Sequence, residues 1–210
     1  MFEPAPYHSD ISRGPKGGRA VWAHTSDDVR IRVGLWPITG ARGTVLIFPG
    51  RTEYIEKYSD AAREFAVRGL ASLAIDWRGQ GLADRATPDT KLGHVTNFDE
   101  YQRDVDAAVA VARDAGLPEP YYLFAHSMGG CIGLRSLMRG LCPTRMKRIP
   151  RYAHAKCLKC GHFVIGIQSL GAIFTKTTVK GIAIRKINPR LTGPTYFLHN
   201  ASPDVFSRWE

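Results

Sequence analysis

The sequence predicts an α/β fold over residues 1–140: a mostly parallel sheet with helices on both faces. Short apolar runs alternate with stretches of helical spacing, the order a doubly wound sheet requires. The same residues hold 17 Lys and Arg against 17 Asp and Glu, the balance of an ordinary soluble core. A late apolar run, residues 121–125, passes without a break into His126-Ser127-Met128-Gly129-Gly130. A strand that turns at once into a helix is a site where α/β sheets expose reactive side chains.

Residues 21–24 and 29–35 read as an antiparallel opening pair, with Asp27 and Asp28 in the turn. Residues 44–48 form a short apolar strand. Ile55, Tyr58, Ala62 and Phe65 then recur at helical spacing until Gly69 ends the helix. Residues 70–75 are the next strand, followed by a loop from Asp76 to Asp84. A long helix is predicted over 98–115, with Phe98, Tyr101, Val105, Ala108 and Ala112 on one face. Asn97 and Glu100 have the spacing of a capping box, and Gly116 with Pro118 closes the helix. Residues 121–125 form the strand that delivers Ser127.

The serine lies in Ala125-x-Ser127-x-Gly129, a small-residue form of G-x-S-x-G. Passing from strand to helix through one residue forces positive φ on that residue, which small neighbours permit. The positive end of the following helix favours an oxyanion on a substrate carbonyl, with the Met128 N–H as one donor. Ser127 is therefore the candidate nucleophile. His126 beside it is expected to be structural, because side chains diverge on a sharp turn; His8, His24 and His94 are read the same way. Asp76 and Arg78 are expected to lock their loop by hydrogen bonds and an ion pair rather than to do chemistry.

Three segments, AHSMGG at 125–130, DWRGQG at 76–81 and FPGRTEYIEKY at 48–58, resemble the monoacylglycerol lipase and lysophospholipase group of α/β-hydrolases, also described as serine-aminopeptidase-like. The resemblance covers about 140 residues in the expected order. It implies a carboxylic-ester hydrolase working through an acyl-serine intermediate on a small lipid-like ester, a lysophospholipid or monoacylglycerol, without metal or organic cofactor. By position it makes the Arg51 N–H the second oxyanion donor, although Pro49 stands where the group usually has histidine.

In that fold the acid and then the histidine of the triad follow the serine. After Ser127 the acids are Asp204 and Glu210, and the histidines His154, His162 and His199 all precede Asp204. Asp204 with His199 could meet Ser127 only by an unusual route, and an incomplete core is the simpler account; the alternative to an ester hydrolase is a catalytically impaired, non-enzymatic remnant lacking the triad acid and histidine. Composition also changes near Gly140 and Leu141, because residues 141–210 hold 12 Lys and Arg against 2 acids. That region is read as a basic divergent tail, faintly like a lid, of the kind a frameshift or recombination would leave. Where a buried strand should follow the serine's helix it reads CPTRMKRIPRYAHAKCLKCGHF, and strand-like runs come only at 163–167 and 179–184.

The net charge of +10 arises wholly within that tail, and its run from Arg145 to Lys159 is read as solvated. No nucleic-acid partner is expected, and at most weak contact with a membrane surface. Cys157-x-x-Cys160-Gly161-His162 has the spacing of half a zinc ribbon that Cys142 or His154 could complete, but a second C-x-x-C is absent and no metal is expected. No apolar run approaches the roughly 20 residues of a membrane span, and the first residues lack the order of a signal peptide, so a cytoplasmic location is expected.

Overall fold

The computed structural model describes residues 2–139 together with the strands at 154–156 and 163–168. Its strands join one sheet in the order β1-β2-β3-β5-β4-β6-β8-β7. The opening pair is β2 (Arg19–His24) and β3 (Arg30–Trp36), antiparallel with Ala23 opposite Ile31. In their turn Asp28 takes φ 61°, and the Thr25 hydroxyl donates to Asp27 at 2.6 Å. A two-residue strand that periodicity could not reveal, β1 (Pro4–Ala5), lies antiparallel along β2.

The parallel part starts at β4 (Thr44–Phe48), which lies between β5 (Ala71–Asp76) and β6 (Tyr121–His126). These strands read as continuous apolar runs because both faces are covered. Leu46, Phe48, Leu73, Ile75, Leu123 and Ala125 face one core, and Val45, Ile47, Ala74 and Tyr122 face another. The first is roofed by α2 (Glu100–Asp114) and α3 (Met128–Met138) through Tyr101, Val105, Ala108, Ala112 and Ile132. The second is roofed by a 3₁₀ turn, Ile55–Tyr58, and α1 (Ser59–Val67) through Ile55, Tyr58, Ala62 and Phe65. Each large side chain buried this way contributes about 1.5–3 kcal/mol.

The long helix begins two residues later than its apolar face suggests, because 97–99 are spent on the entry turn. There the Asp99 N–H donates to Asn97 Oδ1 at 2.8 Å and the Asn97 N–H donates to Glu100 Oε1 at 3.1 Å. This is the reciprocal pairing of a capping box, displaced by one residue.

Beyond β6 the sheet continues with β8 (Phe163–Gln168), parallel to it, and β7 (His154–Lys156), antiparallel to β8. The run at 163–167, strand-like in the sequence, occupies the place beside β6. The run at 179–184, the pair Cys157 and Cys160 with Cys142 and His162, and the candidates His199, Asp204 and Glu210 lie outside the described residues. Among the described residues no helix is long and apolar enough to cross a membrane.

Candidate active site

Ser127 stands alone between the last residue of β6 and the first of α3, at φ 49° and ψ −118°. Non-glycine residues rarely adopt this conformation, and holding one there costs on the order of 1–3 kcal/mol. The neighbours make it attainable. Ala125 is wholly buried two residues earlier. Two residues later, a Cβ on Gly129 would lie 2.2 Å from the Phe48 carbonyl oxygen and 2.5 Å from that of Pro49. Glycine is therefore obligatory at 129, and the start of α3 rests directly on the backbone leaving β4. That contact sets the loop Pro49-Gly50-Arg51 beside the N-terminus of α3, where the Met128 N–H is among the donors a helix leaves unpaired.

The loop is fastened peptide by peptide. Trp77 Nε1–H donates to the Pro49 carbonyl at 2.9 Å, the Gly50 N–H donates to Glu53 Oε2 at 2.5 Å, and the Thr52 N–H donates to Gln80 Oε1. Thr52 takes φ 60°, which turns the chain inward and buries Glu53. The same carboxylate accepts from Tyr58 Oη–H and from Lys57 Nζ, each at 2.5 Å, and Oε2 lies 3.2 Å from His126 Nδ1. An ionised carboxylate only accepts, so the imidazole carries its proton on Nδ1. Burial pushes the Glu53 carboxyl up, but the bonds from Lys57, Tyr58, Gly50 and His126 outweigh it and bring it down to about 2. Burial and the Glu53 charge push the Tyr58 phenol far above its ordinary range.

The DWRGQG segment shapes the neighbouring loop, although Asp76 and Arg78 bind separate partners. Asp76 accepts from Arg32 Nε at 2.7 Å and from the N–H groups of Ile55 and Leu82 at 2.8 and 2.9 Å. Gly81 follows at φ 51°, and a Cβ there would fall 2.2 Å from the Asp76 carboxyl carbon. Arg78 instead binds Asp104 at 2.8 Å, Asp27 at 2.8 Å and Glu100 at 3.1 Å, joining the loop to α2 and to the first hairpin turn.

With this geometry in place, known proteins supply the context. The model of the serine aminopeptidase S33 hydrolases matches residues 39–149, more than half of the chain, including β4, β6 and α3. The chain belongs to this family. Among curated relatives, lysophospholipase L2 of Escherichia coli is 37% identical over 121 residues, covering 55% of this chain and 35% of that protein. Phospholipase YtpA of Bacillus subtilis is 31% identical over 99 residues, covering 47% of this chain and 36% of the other. The chain thus spans about a third of the length of these relatives. Among solved structures, the Pyrococcus furiosus esterase Pf2001 is 22% identical with a TM-score of 0.49, covering 65% of this chain and 52% of that one.

In this S33-family chain the α/β-hydrolase fold expected from the sequence is present, with its helices on both faces. The structure brings Ser127, Met128 and the Arg51 loop together at the carboxyl ends of β4 and β6. Sequence reading missed Glu53, Gln80 and Trp77, the side chains that hold the loop. Glu53 and Lys57, four apart beside helical spacing, look like an exposed ion pair; the available signal was the buried pair Ile55 and Tyr58 immediately after, which requires the chain to have turned inward by residue 53. Among the described residues no cluster of His, Cys, Asp and Glu could hold a metal ion.

Proposed function

We propose that the chain carries the nucleophile of an ester hydrolase that cleaves lysophospholipid- or monoacylglycerol-type esters through an acyl-serine intermediate. The single observation that carries this reading is the strained conformation of Ser127, at φ 49°, where a buried parallel strand meets a helix. Such strain persists only where the surroundings enforce it, and it sets the hydroxyl at the positive end of α3. Ser127 Oγ attacks the ester carbonyl carbon as its proton passes to a base. The carbonyl oxygen becomes an oxyanion held by the Met128 and Arg51 N–H groups, and collapse expels the glycerol-bearing alcohol with that proton. Water then releases the fatty acid from the serine.

The base and its acid are assigned to no described residue: His126 adjoins Ser127 on a sharp turn, where neighbouring side chains diverge. The substrate class rests on the relatives, a lysophospholipase and a phospholipase. The experiment is covalent: the purified chain is incubated with a fluorophosphonate, which reacts fast only with an activated serine. Rapid stoichiometric labelling that disappears in Ser127→Ala is the expected result. Labelling no faster than that control, in folded protein, overturns the reading in favour of a core that binds without turnover.

A further inference from the structure

We infer that Glu53 is the positioning residue of the oxyanion hole, a single carboxylate that ties the loop donating through Arg51 to the strand that presents Ser127. The inference rests on the function proposed above. One oxygen of Glu53, Oε2, meets the Gly50 N–H, the Tyr58 hydroxyl and the His126 ring at 2.5, 2.5 and 3.2 Å. Gly50 precedes Arg51, and His126 precedes Ser127. The carboxylate therefore bridges the residues immediately before each reacting element, 73 positions apart in the chain for Glu53 and His126. Gly50 must be glycine for this bridge to form, because a Cβ there would lie 2.8 Å from both Glu53 Oε2 and His126 Nδ1.

On the other side of Arg51, Gln80 holds the Thr52 N–H, so the Arg51 peptide is suspended between two fixed neighbours. Oxyanion donors act through preorganisation: they must already point at the place where charge develops. A carboxylate near an oxyanion hole would oppose the charge forming there were it not neutralised. Here Lys57 Nζ, at 2.5 Å from Oε1, supplies the countercharge on the side away from the loop. Glu53 touches no reacting atom and acts by fixing where the donors sit.

The test compares the fluorophosphonate labelling kinetics of the wild-type chain with those of Glu53→Gln and Glu53→Ala. Glu53→Ala is expected to lose on the order of 10²-fold in the limiting rate, the scale of losing one oxyanion donor, with half-saturating probe concentration unchanged. Glu53→Gln keeps one acceptor oxygen for Gly50 and is expected to lose on the order of 10-fold, a partial rescue that general destabilisation would not give. The Gly50 amide proton, far downfield beside a carboxylate, should move upfield in both variants. Should Glu53→Ala fail to fold, Glu53→Gln decides alone. A folded variant that labels at the wild-type rate, or an unmoved Gly50 resonance, overturns the proposal while leaving Ser127 as nucleophile. A wild-type chain that labels no faster than Ser127→Ala removes the function on which it rests, and the proposal with it.

Discussion

Two buried carboxylate clusters flank the same 3₁₀ turn, and they spend their charge differently. In the first, Arg32 is shut into the sheet with Asp76 and Glu56, all with side chains no more than 1% exposed. Arg32 meets Glu56 through two bonds of 2.9 Å and also donates to the Pro6 carbonyl, while the His8 N–H donates to Glu56. The cluster sews the N-terminal segment, β3, the turn and the loop after β5 into one unit. In the second, Glu53 has no guanidinium partner among the described residues and spends its bonds on a backbone N–H, a phenol, an imidazole and one half-exposed lysine. Their titration differs accordingly: burial drives the Asp76 carboxyl upward despite Arg32, whereas Glu53 is drawn down to about 2. A cation enclosed with two carboxylates fixes the fold, while a carboxylate surrounded by dipoles fixes the direction of particular groups.

The largest effect expected from breaking this contrast is on the fold. Arg32→Met leaves two buried carboxylates without their cation, a loss of about 3–5 kcal/mol in the unfolding free energy from urea titration at neutral pH. The loss should shrink in acid. Burial already raises the Asp76 carboxyl, and without Arg32 nothing offsets that, so folded protein takes up a proton more readily and regains stability as pH falls. A change below about 1 kcal/mol at neutral pH would show that the cluster is not what joins these segments.

The same contrast explains what could be read from the sequence. Strand β4 could be bounded to the residue, because five consecutive residues buried on both faces leave a continuous apolar run between turn residues. The strand-to-helix turn at Ser127 was legible because Ala125, Ser127 and Gly129 are local to it. What escaped was long-range polar pairing: Asp27 reads as a turn residue, yet it binds Arg78 across 51 positions, and Arg32 reads as the polar face of a hairpin although it is 1% exposed. Periodicity assigns a charged residue to solvent unless another charge awaits it inside, and only the fold shows where that partner stands. The loop after β4 was half legible. The resemblance singles out Arg51 by its position after Pro49 and Gly50, whereas Glu53 was hidden because the left-handed turn at Thr52, φ 60°, carries no glycine to announce it.

A smaller effect distinguishes the clusters by pH. Glu53 is held at about 2 when folded against an ordinary 4.5, so its contribution is complete above 4.5 and is lost as pH falls toward 2. The shift corresponds to a few kcal/mol at most, about 1.4 kcal/mol for each pH unit. In Glu53→Gln the stability curve should be correspondingly flatter between these limits. Asp76 contributes with the opposite sign, because a folded-state pKa raised by burial favours the folded protein in acid and weighs against it as pH rises. Parallel curves for wild type and Glu53→Gln across the window would show that the Glu53 bonds contribute nothing to folding.

The smallest effect is expected at Lys57, and it sharpens the contrast most. Lys57 pairs with Glu53 at i,i+4, but its side chain is 54% exposed where that of Glu53 is 7%. An ion pair with one partner in water is screened and loses chain entropy, so Lys57→Met should cost no more than about 0.5–1 kcal/mol, and the difference from wild type should vanish in concentrated salt. Glu53 would still accept from Gly50, Tyr58 and His126, none of which changes in the variant. It should therefore stay ionised at neutral pH, with its acid transition moved upward by the loss of the Lys57 bond. Urea titrations of both proteins at low and high salt, repeated down the acid limb, measure this directly. A loss above about 2 kcal/mol that persists in salt would make Lys57 the counterpart of Arg32, and Glu53 would then be a second fold-locking ion pair rather than a carboxylate held by the groups it orients.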